Sequence, residues 1–577
     1  MKIIFRITLV FILFTFVDIE TQGQAINNLP EGEMINLFTD RTLYISGEQI
    51  QFAAYLQINE NNNSSLSENN ADPIKKQQVI VSNIIYVELI TPDGEKIIGG
   101  KFQGENYYSL GCITIPKDLI TGIYYIRAYT KFMRNRGPKF YRYISLKIVN
   151  PYKPDIINTN YANTLSRDSI IQEDTLNSSK IISVSIDRKE YSTRDSINVQ
   201  IKGVDIKNSP LSCLTLTVIP DYSFINCYKI QPEVDNSSIK QFYLPETNGI
   251  SLTGRLKDSK SEKYLPSTIV NLSVLGDCKD FMAVYTDSIG RFFFKIPEFK
   301  GVRDIFLCTE TLNDSKSTIL IDNDFCQSKV KLPTPPFHLT ETERDAAFKL
   351  AQNIQIASYY NKKTLLNSSN PANKAFYGLP QENLVFDNYI QLPTIEDYIN
   401  EIVPTLKIRK HKGTKYFKIF STQPEMEIFK PLVLLDLVAI DNPEKILSLP
   451  PHNISHIETI NFPYIKGGIT YGGIISIFSK KGDFAGIDLP SSGVFLNFNF
   501  LADCTYNSLG ESLSNNQPDY RNTILWMPNI SLNSHDPKGL SFFTPDAPGE
   551  YIVLVRGITN DGKEFACKKS FTVRTRN

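Results

Sequence analysis

One local pattern recurs along much of the chain: a short run rich in Ile, Val, Tyr and Phe, set off by a turn of Gly, Asp or Ser. It occurs at Gln49–Leu56 behind Ser46-Gly47, at Ile84–Ile90 ahead of Pro92-Asp93-Gly94, at Gly122–Thr130, and at Gly549–Arg556 ahead of Asp561-Gly562. Around Ser46-Gly47 and at Gly549–Arg556 the residues alternate, and period two sends successive side chains to opposite faces, so these read as strands with one buried face; the other two read as further strands. Such strands, spaced by tight turns, suit antiparallel sandwiches. The composition points the same way, with 35 Phe and 29 Tyr against one Trp and six Met, a weighting toward residues that fit a pleated surface. At 577 residues the chain exceeds what one core serves, and about 150 residues per domain suggests roughly four domains. The expected fold class is mainly β, a multidomain array of antiparallel β-sandwiches plus one small α+β domain.

Lys plus Arg (61) equals Asp plus Glu (61), which removes any whole-chain argument for nucleic acid or an anionic membrane surface and leaves only local patches. Lys2 and Arg6 precede the apolar run Ile7–Val17, and small residues follow at Gly23 and Ala25. That is the pattern of a secretory signal peptide over 1–25. The run falls short of the roughly 20 residues that span a bilayer, and no Cys lies nearby to carry a lipid. No later stretch reaches spanning length, so the expectation is a protein without a transmembrane segment after signal cleavage, soluble or peripherally attached. Eight cysteines lie at 112, 213, 227, 278, 308, 326, 504 and 567 with no C-x-x-C spacing, which disfavours zinc ribbons and thioredoxin chemistry. Local pairing of Cys213 with Cys227, Cys308 with Cys326 and Cys504 with Cys567 is one expectation in an oxidising compartment; buried free thiols are the other.

Taken in order, Asp40-Arg41-x-Leu-Tyr44-x-x-Gly47-Glu48-x-Ile-x-Phe52-x-Ala-Tyr55 resembles the second macroglobulin-type domain of the α2-macroglobulin superfamily, as in exported proteins of Bacteroidetes. This implies a sandwich over 30–150, with the Asn-rich segment 59–70 as a long loop inside it. Asp187-Arg188-Lys-Glu-Tyr191 is a weaker echo and implies a second sandwich over 178–240. Gly254-x-x-x-Asp258 and Thr286-Asp287-x-x-Gly290-x-Phe292 resemble the carboxypeptidase regulatory-like, transthyretin-like fold, over 246–332. A proline cluster at 333–336 marks a boundary, and Thr340-x-x-Glu343 is a capping box for a helix with Ala347, Leu350, Ala351 and Ile354 on one face, within a helical linker over 333–385. In 386–484, Thr394 caps a second helix, and three ordered matches follow: Pro431-Leu-Val-Leu-Leu-Asp436, Ile457-Glu458-x-Ile460 and Gly473-Ile-Ile-x-Ile477. They resemble the plug domain of TonB-dependent receptors, with Leu437 where that family carries Gly. A barrel of about 22 strands, each roughly 9 to 11 residues, does not fit in the remaining tail. Residues 490–577 are expected as a C-terminal sandwich.

Chemistry-bearing motifs are sparse. His452 and His456 stand four apart, as in a helical zinc site, but a metalloprotease needs Glu where Asn453 stands, and the pair leads into a strand. No G-x-S-x-G elbow, P-loop, dinucleotide fingerprint or Cys-Gly-Glu-Gln thioester occurs. Gly467, Gly468, Gly472 and Gly473 read as tight turns and close backbone packing, and Lys480 and Lys481 as solvated turn residues. The basic run Lys407–Lys415 reads either as a charge-guarded strand edge or as a local anion patch. No catalytic, cofactor-binding or metal residues are assigned, and no cofactor is expected. The sequence therefore predicts a non-enzymatic exported scaffold or interaction protein of the cell envelope. Its place would be the periplasm, the outer membrane or the cell surface, and it would bind a protein partner and no nucleic acid. The alternative is an accessory of a TonB-linked transport system acting with a separate outer-membrane barrel.

Overall fold

The computed structural model describes residues 32–58, 81–157, 170–171, 181–205, 211–224, 229–230, 232–234, 242–276, 280–309, 316–360, 376–421, 423, 428–504, 518–532, 537–560, 562 and 564–576. The expected signal peptide, the Asn-rich 59–70 segment, Cys227, Cys278, His535 and residues 367–371 lie outside them. The protein is mainly β and divides into two units, one from residues up to 249, 325–365 and 501–577, the other from 250–324 and 366–500. The chain thus passes from one unit to the other four times.

The first unit opens with an eight-stranded sandwich. One layer holds Glu33–Thr39, Gln49–Ile58 and Tyr108–Thr114; the other holds Lys96–Glu105, Ile84–Ile90, Gly122–Tyr129, Arg142–Val149 and Leu43–Ile45. Lys96–Glu105 runs through both, pairing with Ile84–Ile90 along its length and with Tyr108 and Ser109 at its end. Every pair is antiparallel except Leu43–Ile45, which lies parallel to Lys147–Val149.

A second sandwich repeats this order strand for strand. Ile182–Ile186, Ser196–Gly203 and Lys538–Phe543 form one layer; Leu525–Met527, Leu211–Pro220, Gly549–Thr559, Glu564–Arg574 and Glu190–Ser192 form the other. Its short second strand again pairs parallel with the last, Tyr191 opposite Val573. The two sandwiches expected over 178–240 and 490–577 are therefore halves of one. Leu211–Pro220 finds its antiparallel partner in Gly549–Thr559, and one core joins Ile197, Leu216 and Val218 to Phe542, Val553 and Phe571. Four strands alone would have left both layers with open edges. The two sandwiches meet where Phe38, Ala53 and Tyr55 of the first pack on Cys213, Trp526 and Ile558 of the second.

Residues 333–385 do not act as one linker. Helix α1 (Glu341–Tyr360) carries the capping box, Thr340 N donating to Glu343 at 2.8 Å and Glu343 N to Thr340 at 3.2 Å. Its small apolar face, Ala346, Ala347, Leu350 and Ala351, is buried on Leu43 and Ile45, so the helix belongs to the first unit. So does the end of the segment expected over 246–332: Val330–Lys331 pairs with Glu233–Val234. Cys504 is bonded to Cys112, with Cα atoms 5.7 Å apart, because Leu501 and Ala502 run beside Lys101. The expected Cys504–Cys567 and Cys308–Cys326 pairings do not form, and Cys213, Cys326 and Cys567 are free thiols.

In the second unit, Arg291–Ile296, Ile250–Asp258 and Ser317–Ile321 form one layer, and Asp280–Tyr285, Ile269–Val274, Val302–Thr309 and Val494–Asn499 the other. The last of these strands was expected in the C-terminal sandwich; it pairs instead with Val302–Leu307. Asp287 builds the entry turn, its carboxylate accepting from the N–H groups of Ile289 and Arg291 at 3.0 and 2.8 Å, and Phe292 and Phe294 then bury on one face. A five-stranded mixed sheet follows, in the order Glu382–Val385, Ile454–Ile460, Ile474–Ser479, Leu432–Leu435, Val438–Ala439. Against it pack α2 (Ile395–Ile402), capped reciprocally by Thr394 and Asp397, and α3 (Pro443–Leu447).

The turn after Leu432–Leu435 takes the left-handed conformation, with φ of 47° at Asp436 and 69° at Leu437. For a leucine this costs roughly 1–2 kcal/mol. Two contacts offset it. The Leu437 side chain is buried among Phe281, Leu432 and Leu434. The Asp436 carboxylate accepts from Ser479 N at 2.9 Å, Ser479 Oγ at 2.6 Å and Phe484 N at 2.9 Å.

Candidate functional site

The Asp-Arg-x-x-Tyr segment folds into the same corner in both sandwiches. In the first, Tyr44 Oη donates to Asp40 at 2.6 Å, Gln51 N donates to the same oxygen at 2.9 Å, and Arg41 N donates to Tyr44 Oη at 3.1 Å. In the second, Tyr191 Oη donates to Asp187 at 2.6 Å, Asn198 N at 3.0 Å, and Arg188 N donates to Tyr191 Oη at 2.9 Å. Each arginine lies over its tyrosine ring, at 4.6 and 4.7 Å from the centroid. Each also pairs with the acid four residues past that tyrosine: Arg41 with Glu48 at 2.8 Å, Arg188 with Asp195 at 3.1 Å. The residue before the acid has positive φ in both copies, 90° at Gly47 and 61° at Arg194. A carboxylate receiving a phenol, a backbone N–H and a guanidinium within one strand-turn-strand explains why these residue types recur at this spacing.

The corners differ in what covers them. Around the first, Asn522 Nδ2 donates to Glu48 at 2.8 Å, Thr523 Oγ1 donates to Asp40, and Arg556 donates to the Thr39 carbonyl. Asn522 is itself held by Asn353 of α1 at 3.0 Å. These groups of the second sandwich and α1 seal the Arg41 side chain to 3% exposure. At the second corner the Arg188 side chain is 52% exposed. Electrostatics follow burial. Desolvation of Arg41 is outweighed by the charges of Glu48 and Asp40, so its guanidinium holds its proton more tightly than usual, and burial pushes Tyr44 well above the ordinary phenol range. At the second corner burial pushes Tyr191 up to about 12, aided by Asp187. Hydrogen bonds from Tyr191 and Asn198 hold Asp187 below the usual carboxylate range against the opposing effect of burial. Arg194, in the place of Gly47, forks onto Asp546 at 2.8 and 2.6 Å. Asn522, Thr523 and Asp546 had no sequence signal, since each lies hundreds of positions from the group it serves.

His452 and His456 do not form a helical pair. His452 lies on the single turn Pro451–Asn453, while His456 lies on an extended strand with its ring stacked on Phe478 at 4.4 Å, so the four-residue spacing is not helical. Among the described residues no group of three His, Cys, Asp or Glu could hold a metal ion. In the glycine run, Gly467 and Gly468 form the turn between Tyr464–Lys466 and Ile469–Tyr471 with φ of 60° and 76°. A Cβ on Gly467 would collide with the Ala283 carbonyl oxygen, and one on Gly473 with that of Ile460. Lys480 pairs with Asp387 at 2.8 Å. The basic run becomes a two-stranded hairpin, Leu406–His411 with Thr414–Ile419.

No protein-family model matches the chain, and no curated protein matches it. Among solved structures, Escherichia coli α2-macroglobulin activated by porcine elastase aligns at 8% identity over 94% of this chain and 44% of that one, with a TM-score of 0.23. Salmonella α2-macroglobulin reacted with methylamine aligns at 9% identity over 95% and 40%, also at 0.23. A tetra-tandem repeat from the extending region of a large adhesion protein aligns at 8% identity over 94% and 99%, with a TM-score of 0.12. The chain thus spans less than half the length of these macroglobulins. No helix among the described residues is long and apolar enough to cross a membrane.

Proposed function

We propose that the chain is a non-enzymatic interaction scaffold of the cell envelope, exported by its N-terminal segment, whose second Asp-Arg-x-x-Tyr corner receives a protein partner. One observation carries the reading: two corners of identical hydrogen-bond geometry, one sealed by a neighbouring sandwich and one open. The sealed corner supplies a template for the contact, in which side-chain amide and hydroxyl donors reach the two carboxylates around the arginine. The open corner offers the same acceptors, Asp187 and Asp195, on a rigid turn, and a preformed surface limits the ordering cost of association. Arrays of small β domains suit recognition and spacing.

The test is a photo-crosslinking residue at Lys189, beside the open corner, in cells making the full chain, with Lys260 of the other unit as control position. A single discrete adduct at 189, absent at 260 and weakened by R188Q, supports the reading. Equal labelling at both positions, or none at 189, overturns it. An outer-membrane barrel as the captured protein would favour the transport-accessory alternative.

A further inference from the structure

The disulfide Cys112–Cys504 joins residues 392 positions apart, and five other cysteines, at 213, 227, 278, 308 and 326, stand between them in sequence. Cys112 lies on Tyr108–Thr114, where burial alternates along the strand, so Tyr108, Leu110 and Cys112 share its outer, half-buried face. Cys504 is brought to that face by Leu501, bridged to Lys101, and by Ala502, whose N–H donates to the Lys101 carbonyl at 2.8 Å.

A second thiol is carried to the same face. Cys213 packs with Phe38, Ala53, Tyr55, Trp526 and Ile558, and Tyr108 and Leu110 lie against that cluster. Cys213 therefore comes to rest beside the side chains that precede Cys112 on its strand. The loop from Cys112 to Cys213 is about a quarter as long as the loop to Cys504, and closure becomes rarer as roughly the three-halves power of length, so the unfolded chain favours the shorter loop about eightfold. In the finished molecule Cys213 is nevertheless a free thiol, 4% exposed, and burial pushes it up to about 12. A thiol held in that way is a poor nucleophile. Folding thus begins with Cys213 as the favoured partner of Cys112 and ends with Cys213 shut away from it.

From this we infer that the chain is a client of a dithiol–disulfide isomerase, which converts a Cys112–Cys213 bond into Cys112–Cys504. An oxidant of the disulfide class, such as glutathione disulfide, first takes two electrons from the Cys112 and Cys213 thiols; their two protons leave with it as two glutathione thiols. The isomerase thiolate then attacks Cys112 Sγ, the bond to Cys213 breaks, and Cys213 departs as a thiolate that takes a proton from solvent. Cys504, having given its proton to solvent, attacks Cys112 Sγ in turn and expels the isomerase thiolate. One S–S bond replaces another with no net oxidation, and burial of Cys213 closes the way back. The catalyst matters because uncatalysed rearrangement takes minutes to hours.

The test starts from the full chain, reduced and unfolded, diluted into oxidised and reduced glutathione with or without protein disulfide isomerase. Samples are quenched with an alkylating agent and their cystine peptides mapped by mass spectrometry. Without the enzyme, Cys112–Cys213 should lead the early bonds, and the enzyme should hasten its conversion to Cys112–Cys504 about tenfold or more. C213A should form Cys112–Cys504 about fivefold faster than the parent without the enzyme, whereas C326A, which removes another buried free thiol, should behave as the parent does. In C504A the Cys112–Cys213 bond should persist, a reading that holds whether or not that variant folds. Equal rates of native pairing with and without the enzyme overturn the inference, as does an early bond from Cys112 to any other cysteine. So does a C213A chain as slow and as enzyme-dependent as the parent, a C504A chain that leaves Cys112 reduced, or enzyme-treated parent lacking Cys112–Cys504.

Discussion

The duplicated corner provides an internally controlled mutation. In R41M, a side chain of similar length replaces the guanidinium that answers Glu48 at 2.8 Å and Asp40 at 3.4 Å, leaving two carboxylates that are 7% and 1% exposed. Removing one partner from a buried pair costs about 3–5 kcal/mol, mostly because the remaining charge cannot regain its water. R188M removes the same contacts from an open corner, where water and salt already screen them, and the change should fall within measurement error. Urea unfolding can follow both through Trp526, the single tryptophan, which is fully buried at the contact between the two sandwiches. With an m-value of roughly 2–3 kcal/mol/M, R41M should lower the midpoint by about 1–2.5 M. Adding E48Q to R41M should recover part of the loss, since it removes an unanswered charge. Equal midpoint shifts for R41M and R188M, or a further loss on adding E48Q, would refute the assignment of the cost to desolvated charge.

Two further outcomes follow from the turns and ion pairs. Leu437 has φ of 69°, so L437A keeps the backbone strain while losing the buried side chain, whereas L437G loses the side chain but relaxes the backbone. L437G should therefore be more stable than L437A by about 0.5–1 kcal/mol, the reverse of the ordinary order; thermal melts by circular dichroism decide, and an L437A melting point at or above that of L437G sinks the argument. Hydrogen bonds from Arg194 hold Asp546 below the usual carboxylate range, with burial opposing. A lowered folded-state pKa adds stability above the unfolded value near 3.9 and loses it as pH falls through the folded one. D546N should thus be less stable than the parent by about 1 kcal/mol at pH 7, with the gap closing below about pH 4; a gap that persists at pH 2.5 contradicts it.

Local chemistry was readable from sequence and distant pairing was not. The Asp40–Glu48 corner, its echo at Asp187, the Thr340 and Thr394 caps and the Asp287 turn each lie within a dozen residues, where spacing dictates geometry. Period two encodes which face of a strand is buried and leaves its neighbour open, so nothing in Leu211–Pro220 named Gly549–Thr559 as its partner. The same limit split one sandwich into two, put Val494–Asn499 in the wrong one, and paired Cys504 with Cys567 in place of Cys112. At the candidate site, Asp187, Arg188 and Tyr191 were marked by the echo. Asn522, Thr523 and Asp546, which decide which corner is sealed and how the open one is braced, were invisible for the same reason.

The interruption of the second sandwich has a consequence in time. Its first four strands end at Pro220 and its fifth begins at Leu525, so at synthesis rates of roughly 5–20 residues per second the early half waits on the order of 15–60 s for the roughly 300 residues between. Throughout that wait Leu211–Pro220, a run of Leu, Thr, Val and Ile with almost no charge, has no neighbour on either side, which is the state in which strands recruit the wrong partner. The sandwich that carries the open corner is therefore completed only once Gly549–Thr559 and Glu564–Arg574 have been made. A nascent chain shortened before Gly549 should lack not one domain edge but the whole second sandwich.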